Sequence, residues 1–347
     1  MNNMKKPRIA ITMGDPTGVG PEVIVGAWHH AELHDLAAPV VFGDPIILQR
    51  AADLLQSPIE VKQVDSLDAV PAAPDVLACL PVVAPSCRAA PIRQIDARGG
   101  QAAYDALRAA ARAALAGEVD AIVTAPLHKA ALWAAGHHYP GHTELLAEIC
   151  GVDDFAMMLY LAHGGPVRGP AGLGVIHVTL HMALVDVFSH LSTAEVLRTI
   201  RLTSRTFSAI KGSPPRVAVA ALNPHAGEEG LFGTEEQSLI APAVQAARES
   251  GIAIEGPLPA DTAMVRAAAG EFDAVVAMYH DQGHIALKLL GMHRAVNVTL
   301  GLPIVRTSVA HGTAFDLAWQ GRAETSSMIE AVRVASLLAR DKLATAR

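Results

Sequence analysis

A two-domain α/β fold is predicted by three features of this sequence. Short aliphatic runs alternate with Ala-rich helical stretches nearly end to end. The aliphatic runs are almost continuously apolar, as in strands covered by helices on both faces, rather than alternating as in a half-exposed sheet. The chain has 347 residues, a length that suits two domains or one large α/β unit.

Taken in order, a strand at 8–13 opens the chain and the run Gly14-Asp-Pro-Thr-Gly-Val-Gly-Pro-Glu22 follows it. Pro21 and Glu22 mark the N-terminus of a helix over 20–30. Gly14, Gly18 and Gly20 have neither the GxGxxG nor the P-loop spacing. The segment is a tight turn or a ligand-facing loop at a strand end, with Gly14 and Asp15 at its tip. A strand at 39–42 and a helix at 45–55 come next. The Pro-rich stretch 70–91 is a poor helix or central strand and reads as an irregular excursion with a short edge strand. A helix at 101–116 and a strand at 119–124 lead to Tyr139-Pro-Gly-His-Thr-Glu144. There a Pro-Gly turn presents His142 and Thr143 at the start of a helix over 143–150, a position that favours an anion.

The next strands each end in a histidine. His181 follows a strand at 173–178, His225 one at 216–221, and His280 one at 274–278. Strands of one sheet deliver such residues to one edge, where α/β proteins place their sites. Three neutral imidazoles with an open fourth position suit zinc or a similar divalent metal. Hydrogen-bonded structural histidines remain the other reading of the spacing. Helices are predicted at 192–210, 234–249, 260–269 and 327–346, and a last strand at 295–299. Lys288, Asn297 and Arg306 cluster around that strand and form a common combination for phosphate or carboxylate. In Val309-Ala-His-Gly-Thr-Ala-Phe-Asp-Leu-Ala318, small residues at a His311-Gly312 turn leave room for a flat ligand, and Asp316 could accept from ribose hydroxyls; an ordinary turn fits as well.

Composition narrows the function. Apolar residues make up 51% and charged residues 18%, which excludes disorder for the bulk of the chain. The net charge of −7 has no basic blocks within it and argues against a nucleic-acid partner. Cys79, Cys87 and Cys150 form no CxxC, which predicts no disulfide framework and a cytoplasmic setting. The short basic start, Met1 to Arg8, is not built as a signal peptide, and no apolar run is long enough to span a membrane. The mean hydropathy of +0.30 leaves room for an apolar subunit interface.

These motifs, with Thr124-Ala-Pro-Leu-His-Lys129 and Gly256-Pro-Leu-Pro-Ala-Asp-Thr262, closely resemble the 4-hydroxythreonine-4-phosphate dehydrogenase, or PdxA, family over nearly the whole chain. The His311 loop is similar to the nucleotide loop of isocitrate and isopropylmalate dehydrogenases. The resemblance implies their two-domain α/β/α fold, with 1–128 and 300–347 as a domain bearing nucleotide-facing loops. Segment 129–299 would then carry the metal ligands and the dimer interface. It implies His181, His225 and His280 as ligands of a divalent metal (zinc, with magnesium, cobalt or manganese as alternatives), completed in a homodimer with shared sites. His142, Thr143, Lys288, Asn297 and Arg306 would bind a phosphorylated substrate, and Gly14, Asp15, His311, Gly312 and Asp316 would face NAD. The family oxidises 4-phosphooxy-L-threonine and loses CO₂, giving 3-amino-2-oxopropyl phosphate. Lys129 and Asp281 are candidate proton acceptors, beside a metal-bound water.

The sequence departs from the family pattern at His128, Ala310 and Trp319, where Asn, Asp and Gly are usual. Gly283-His-Ile-Ala286 is similar instead to a branch acting on D-threonate or D-erythronate 4-phosphate, and the runs His177-Val-Thr-Leu-His181 and His280-Asp-Gln-Gly-His284 are similar to terephthalate cis-dihydrodiol dehydrogenases. A binding protein without activity is the reading from another class, and the intact histidine trio speaks against it.

Overall fold

In the computed structural model, residues 6–71 and 73–345 are described. The basic start before Lys6 therefore lies outside them, as does the last residue of the helix expected over 327–346. In chain order the first elements are β1 (Arg8–Thr12), α1 (Gly20–Trp28), α2 (Ala31–Leu36), β2 (Ala38–Gly43), α3 (Pro45–Leu54), β3 (Glu60–Gln63) and β4 (Val76–Pro81). There follow α4 (Ala97–Leu115), β5 (Ala121–Thr124), α5 (Lys129–Ala134), α6 (His142–Cys150), β6 (Ala156–Leu161), β7 (Leu173–His177), α7 (Leu184–His190) and α8 (Thr193–Lys211). The rest are β8 (Val217–Ala220), α9 (Ala241–Glu249), β9 (Ile254–Leu258), α10 (Ala260–Ala268), β10 (Ala274–Ala277), α11 (His280–Gly291), β11 (Val296–Leu300), β12 (Arg306–Val309) and α12 (Ser326–Thr345).

The chain divides into two compact units, the first built from Met1–Asp154 and Leu302–Arg347, the second from Phe155–Gly301. The first boundary falls later than the expected 128/129. The reason is packing: Leu145 and Leu146 of α6 are buried in the core of the first unit with Leu107, Ala110 and Ala111 of α4, Phe42 of β2 and Ile122 of β5. The segment after β5 thus stays with the first unit until its apolar side chains are covered.

In the first unit the strand order is β3-β4-β2-β1-β5-β12, all parallel. Arg8–Thr12 is paired on both sides, which accounts for its unbroken apolar run. β4 lies between β3 and β2, so the Pro-rich region holds an interior strand, not the expected edge strand. Its proline, Pro81, comes only at the end. The edge is β3, Glu-Val-Lys-Gln, whose charge suits a strand with one open side. Asp44 caps α3 by accepting from the amides of Ile46 and Ile47, each at 3.0 Å, and Asp96 caps α4 through the Arg98 amide at 2.8 Å.

In the second unit the order is β11-β6-β7-β10-β8-β9. β6 is antiparallel to both β11 and β7, and the remaining pairs are parallel. β6 is fully buried yet reads Ala-Met-Met-Leu-Tyr-Leu, with no β-branched residue, so its sequence did not announce it. The helix expected over 234–249 begins as one π turn, Glu236–Ile240, and becomes α-helical only at Ala241. No described helix is long and apolar enough to cross a membrane.

One close approach defines the α4–α5 packing. A Cβ at Gly100 would stand 2.0 Å from the carbonyl oxygen of Ala131 and 2.2 Å from its carbon. Gly100→Ala gains about 1 kcal/mol of helix propensity. The clash is with backbone and cannot be relieved by a rotamer, so overpacking of about 1–3 kcal/mol should win. Urea denaturation is expected to show net destabilisation; an unchanged or raised midpoint would contradict this packing.

Candidate active site

Two parallel strands of the second unit set the histidines. Ala277 of β10 lies opposite His177 at the end of β7, so both chains leave the sheet at the same level. The Thr179 hydroxyl donates to the Met278 carbonyl at 2.8 Å and ties the two exits together. Gln282 ties in a third strand: its amide oxygen accepts from the Met278 N–H at 2.7 Å, and its amide nitrogen donates to the Ala221 carbonyl, just past β8, at 2.7 Å. His280 is the first residue of α11 rather than part of a loop. Its ring stands 5.8 Å from that of His181, centroid to centroid. Asp281 binds His280 Nδ1 at 2.6 Å. This carboxylate therefore orients an imidazole and is poorly placed as the independent proton acceptor expected of it.

His225 is held in a turn of its own. Residues His225, Ala226, Gly227, Glu228 and Glu229 all have positive φ, a left-handed turn that four non-glycine residues adopt only under constraint. Buried Glu236 supplies part of it, accepting from the amides of Leu222 and Asn223 at 2.8 Å each. The His225 ring lies 6.1 Å from that of Phe232. So His181 and His280 are brought together; among the described residues no three His, Cys, Asp or Glu side chains are grouped to hold a metal ion. The donor chemistry does suit one: with Nδ1 of His280 taken by a carboxylate, Nε2 is left for a metal, the arrangement metal-bound imidazoles use.

Two further histidines, seen in the sequence as motif residues but not assigned to a site, line the same place. The ring of His284 is 3.7 Å from that of His280, and that of His177 is 6.1 Å away. Burial, then the neighbouring imidazoles, hold both His177 and His284 well below the usual histidine range, so both are neutral. Lys288 lies about two turns along α11 from His280. Asn297 is on β11 opposite Leu159, and its Oδ1 is buried without a hydrogen-bond partner.

In the first unit, Arg306 begins β12 and is 1% exposed. Its Nη2 donates to the Thr124 hydroxyl at the end of β5 at 2.7 Å. Burial lowers the guanidinium pKa, to about 9, which still leaves it charged at neutral pH; the Glu144 carboxylate works in the opposite sense. His142 and Thr143 open α6 after Gly141. Burial, then the charge of Arg306, push His142 well below its ordinary range. Lys129 stands close by: its Cε would be 3.9 Å from a Cβ at Gly141. A buried cation, a neutral imidazole and a helix N-terminus are features that suit an anion.

The two glycine-containing loops of this unit also meet. The Val19 amide donates to the Thr313 carbonyl at 3.0 Å, and the Asp15 amide to the Pro126 carbonyl at 2.9 Å beside the turn at Gly14. Asp15 is fully buried; Oδ1 accepts from the Thr17 amide and hydroxyl, and Oδ2 has no partner. Burial raises its pKa despite those bonds. Gly312 and Asp316 are exposed, and His311 Nδ1 lies 3.0 Å from the Gly312 carbonyl. Two departures from the family pattern fall here. His128 stacks on Phe315 at 4.9 Å, and the Trp319 indole donates to the Pro16 carbonyl at 3.0 Å. Arg93 and Glu22, also unforeseen, fasten the loop. Arg93 donates to the carbonyls of Phe315 and Asp316, and buried Glu22 accepts from the amides of Trp319 and Gly321.

The family model described as "Pyridoxal phosphate biosynthetic protein PdxA" matches residues 35–335. The chain belongs to the PdxA family. It is 46% identical over 341 residues to the 4-hydroxythreonine-4-phosphate dehydrogenase of Trichlorobacter lovleyi, covering 97% of this chain and 99% of that one. It is 43% identical over 337 residues to the D-threonate 4-phosphate dehydrogenase of Salmonella typhimurium, covering 97% and 100%. The crystal structure of the Klebsiella pneumoniae 4-hydroxythreonine-4-phosphate dehydrogenase superposes with a TM-score of 0.83 at 40% identity, over 96% of this chain and 100% of that one. PdxA membership thus covers both units.

A depressed histidine makes stability depend on acid. His142 binds its proton in the unfolded chain near pH 6.5 but in the folded one only at much lower pH. Below about pH 6.5 the unfolded state takes up more protons, so stability is lost as pH falls. His142→Gln should flatten the fall in melting temperature between pH 7 and pH 5. An unaltered pH profile in the variant would mean that His142 does not resist protonation.

Proposed function

We propose that this chain is an NAD-dependent dehydrogenase that oxidises and decarboxylates a 4-phosphorylated hydroxy acid. The first-choice substrate is 4-phosphooxy-L-threonine, giving 3-amino-2-oxopropyl phosphate. The observation that carries the reading is the buried Arg306, bonded to the Thr124 hydroxyl at the end of β5, with neutral His142 beside it at the N-terminus of α6. A dianionic phosphate matches that combination, and the relatives' names supply the 4-phosphate. Lys288 and Asn297 are assigned to the same substrate.

His181, His225 and His280 would hold the divalent metal, zinc in the first instance, which would supply Lewis-acid stabilisation of the alcohol oxygen. Asp281 keeps the His280 ring in one tautomer for that task. The loops at Gly14–Asp15 and His311–Asp316 are assigned to NAD; exposed Gly312 has open space where a Cβ would stand. Oxidation of the secondary alcohol sends a hydride to NAD and a proton to a base. The β-keto acid then loses CO₂, its bonding electrons passing to the ketone. Lys129 Nζ is the assigned proton acceptor, since Asp281 is engaged. Anchoring the phosphate fixes the reacting carbon against the nicotinamide.

A cytoplasmic homodimer completes the reading. Exposed Leu184, Val185 and Phe188 share one face of α7, and Ile285, Leu289 and Met292 recur at helical spacing along α11 and just past it, an apolar surface that a second copy would cover. A second substrate, D-threonate 4-phosphate, is favoured by His284, whose place in Gly283-His-Ile-Ala286 follows the paralogous branch.

NADH formation with the 4-phosphates of hydroxythreonine, D-threonate and D-erythronate, and with the terephthalate diol, tests the assignment. Turnover should require the phosphate, and inorganic phosphate should compete. Fastest turnover on the unphosphorylated diol would defeat the reading. Arg306→Ala should lower kcat/KM by about tenfold to a hundredfold, in keeping with the loss of charge-assisted hydrogen bonds. Lys129→Met should lower kcat by about a hundredfold or more if Nζ takes the proton; an undiminished kcat would exclude it.

A further inference from the structure

Behind His280 lie two imidazoles that the proposed chemistry leaves unused. His177 ends β7 and is 1% exposed; His284 lies one turn into α11 and is 6% exposed. His284 Nδ1 and His177 Nε2 are 3.1 Å apart, so one nitrogen donates to the other. The His284 ring lies flat on His280, with centroids 3.7 Å apart and planes within 12°. The His177 ring is 4.6 Å from that of His284. Gly283 permits the arrangement: a Cβ there would stand 2.4 Å from His177 Nε2 and 2.6 Å from Val175 Cγ1.

Burying two polar rings costs more than burying aliphatic side chains of similar size. Leu or Ile would fill the same space behind His280 with no polar atom to satisfy. What the imidazole pair adds is direction. The hydrogen bond sets the rotation of the His284 ring, and the stack passes that orientation to the plane of His280. Asp281 holds the same ring by its Nδ1 edge, at 2.6 Å. His280 is thus gripped on an edge and on a face.

We propose that His177 and His284 are positioning residues: a hydrogen-bonded imidazole pair that fixes the ring plane of His280 and thereby sets the affinity and geometry of metal binding there. The proposal rests on the reading of His280 as a metal ligand. Outer partners of metal ligands commonly contribute about 10–100-fold to affinity, and the pair packs on the face of the His280 ring while Asp281 holds its edge.

The test measures Zn²⁺ affinity of the full-length protein by competition with a chromophoric chelator, and the visible absorption bands of the Co²⁺-loaded protein. Wild type and His280→Ala come first. If wild type binds no Zn²⁺, or His280→Ala binds it equally well, the metal reading fails by itself. Given that wild type binds and His280→Ala does not, His284→Leu should weaken Zn²⁺ by about 10–100-fold and shift the Co²⁺ bands, with the melting temperature of the metal-free protein unchanged. His177→Leu should weaken binding less, and the double variant should match His284→Leu, because His177 acts through His284. An affinity for His284→Leu within about threefold of wild type, or losses that multiply in the double variant, would overturn the proposal. If His284→Leu does not fold, His284→Phe, which keeps a stacked ring without the hydrogen bond, takes its place. An intermediate loss is then expected, and wild-type affinity overturns the brace.

Discussion

Wherever a parallel strand ends, the next backbone amides lose their ladder partners and must find acceptors elsewhere. In this protein backbone carbonyls take some of them, and side chains take others. Asp15 takes the Thr17 amide, Asp44 those of Ile46 and Ile47, Glu236 those of Leu222 and Asn223, and Gln282 that of Met278. Glu22 does the same for Trp319 and Gly321 across a wide stretch of sequence. The loops at Asp15 and His225 and the start of α11 at His280 are held in this way. A carboxylate buried with two amide donors is satisfied, and it leaves the loop side chains free to face a ligand.

Charge is handled differently in the two units. The first buries one guanidinium, Arg306, against the Thr124 hydroxyl and keeps the adjacent His142 neutral. The neutrality follows from burial and from the guanidinium's own field. A neutral imidazole can donate to a phosphate without adding to the desolvation that a second buried cation would bring. The second unit gathers imidazoles, and there too burial and mutual repulsion keep the innermost pair uncharged. An uncharged pair adds no positive charge beside His280.

The left-handed turn at His225 and the π turn at Glu236 are coupled through one carboxylate. Glu236 is the first residue of the π turn, and its bonds to Leu222 and Asn223 hold the chain just ahead of His225. Two unfavourable local conformations are thus held by one buried side chain, a pattern met at functional sites, where tertiary contacts outweigh local preference.

The alternation of apolar runs with Ala-rich stretches was sufficient for the α/β class, for the strands at the centre of each sheet and for the histidines at strand ends, because a strand buried on both faces must be continuously apolar. The strands it left unmarked have unusual sequences for a strand. β12 begins with the buried Arg306, β3 is a charged edge, β9 contains Gly256-Pro257, and β6 is mostly Met and Leu with no β-branched residue. The place of 129–154 in the first unit depended on which core covers Leu145 and Leu146, a fact of packing. His142, Arg306, His181 and His280 were legible as residue types that carry charge or ligate. Their electrostatic state and their neighbours were not. Only the folded chain brings Thr124 to Arg306, Asp281 to the edge and His284 to the face of His280, and Glu236 beneath the His225 loop, since hydrogen bonds and stacking depend on distances that sequence separation does not encode.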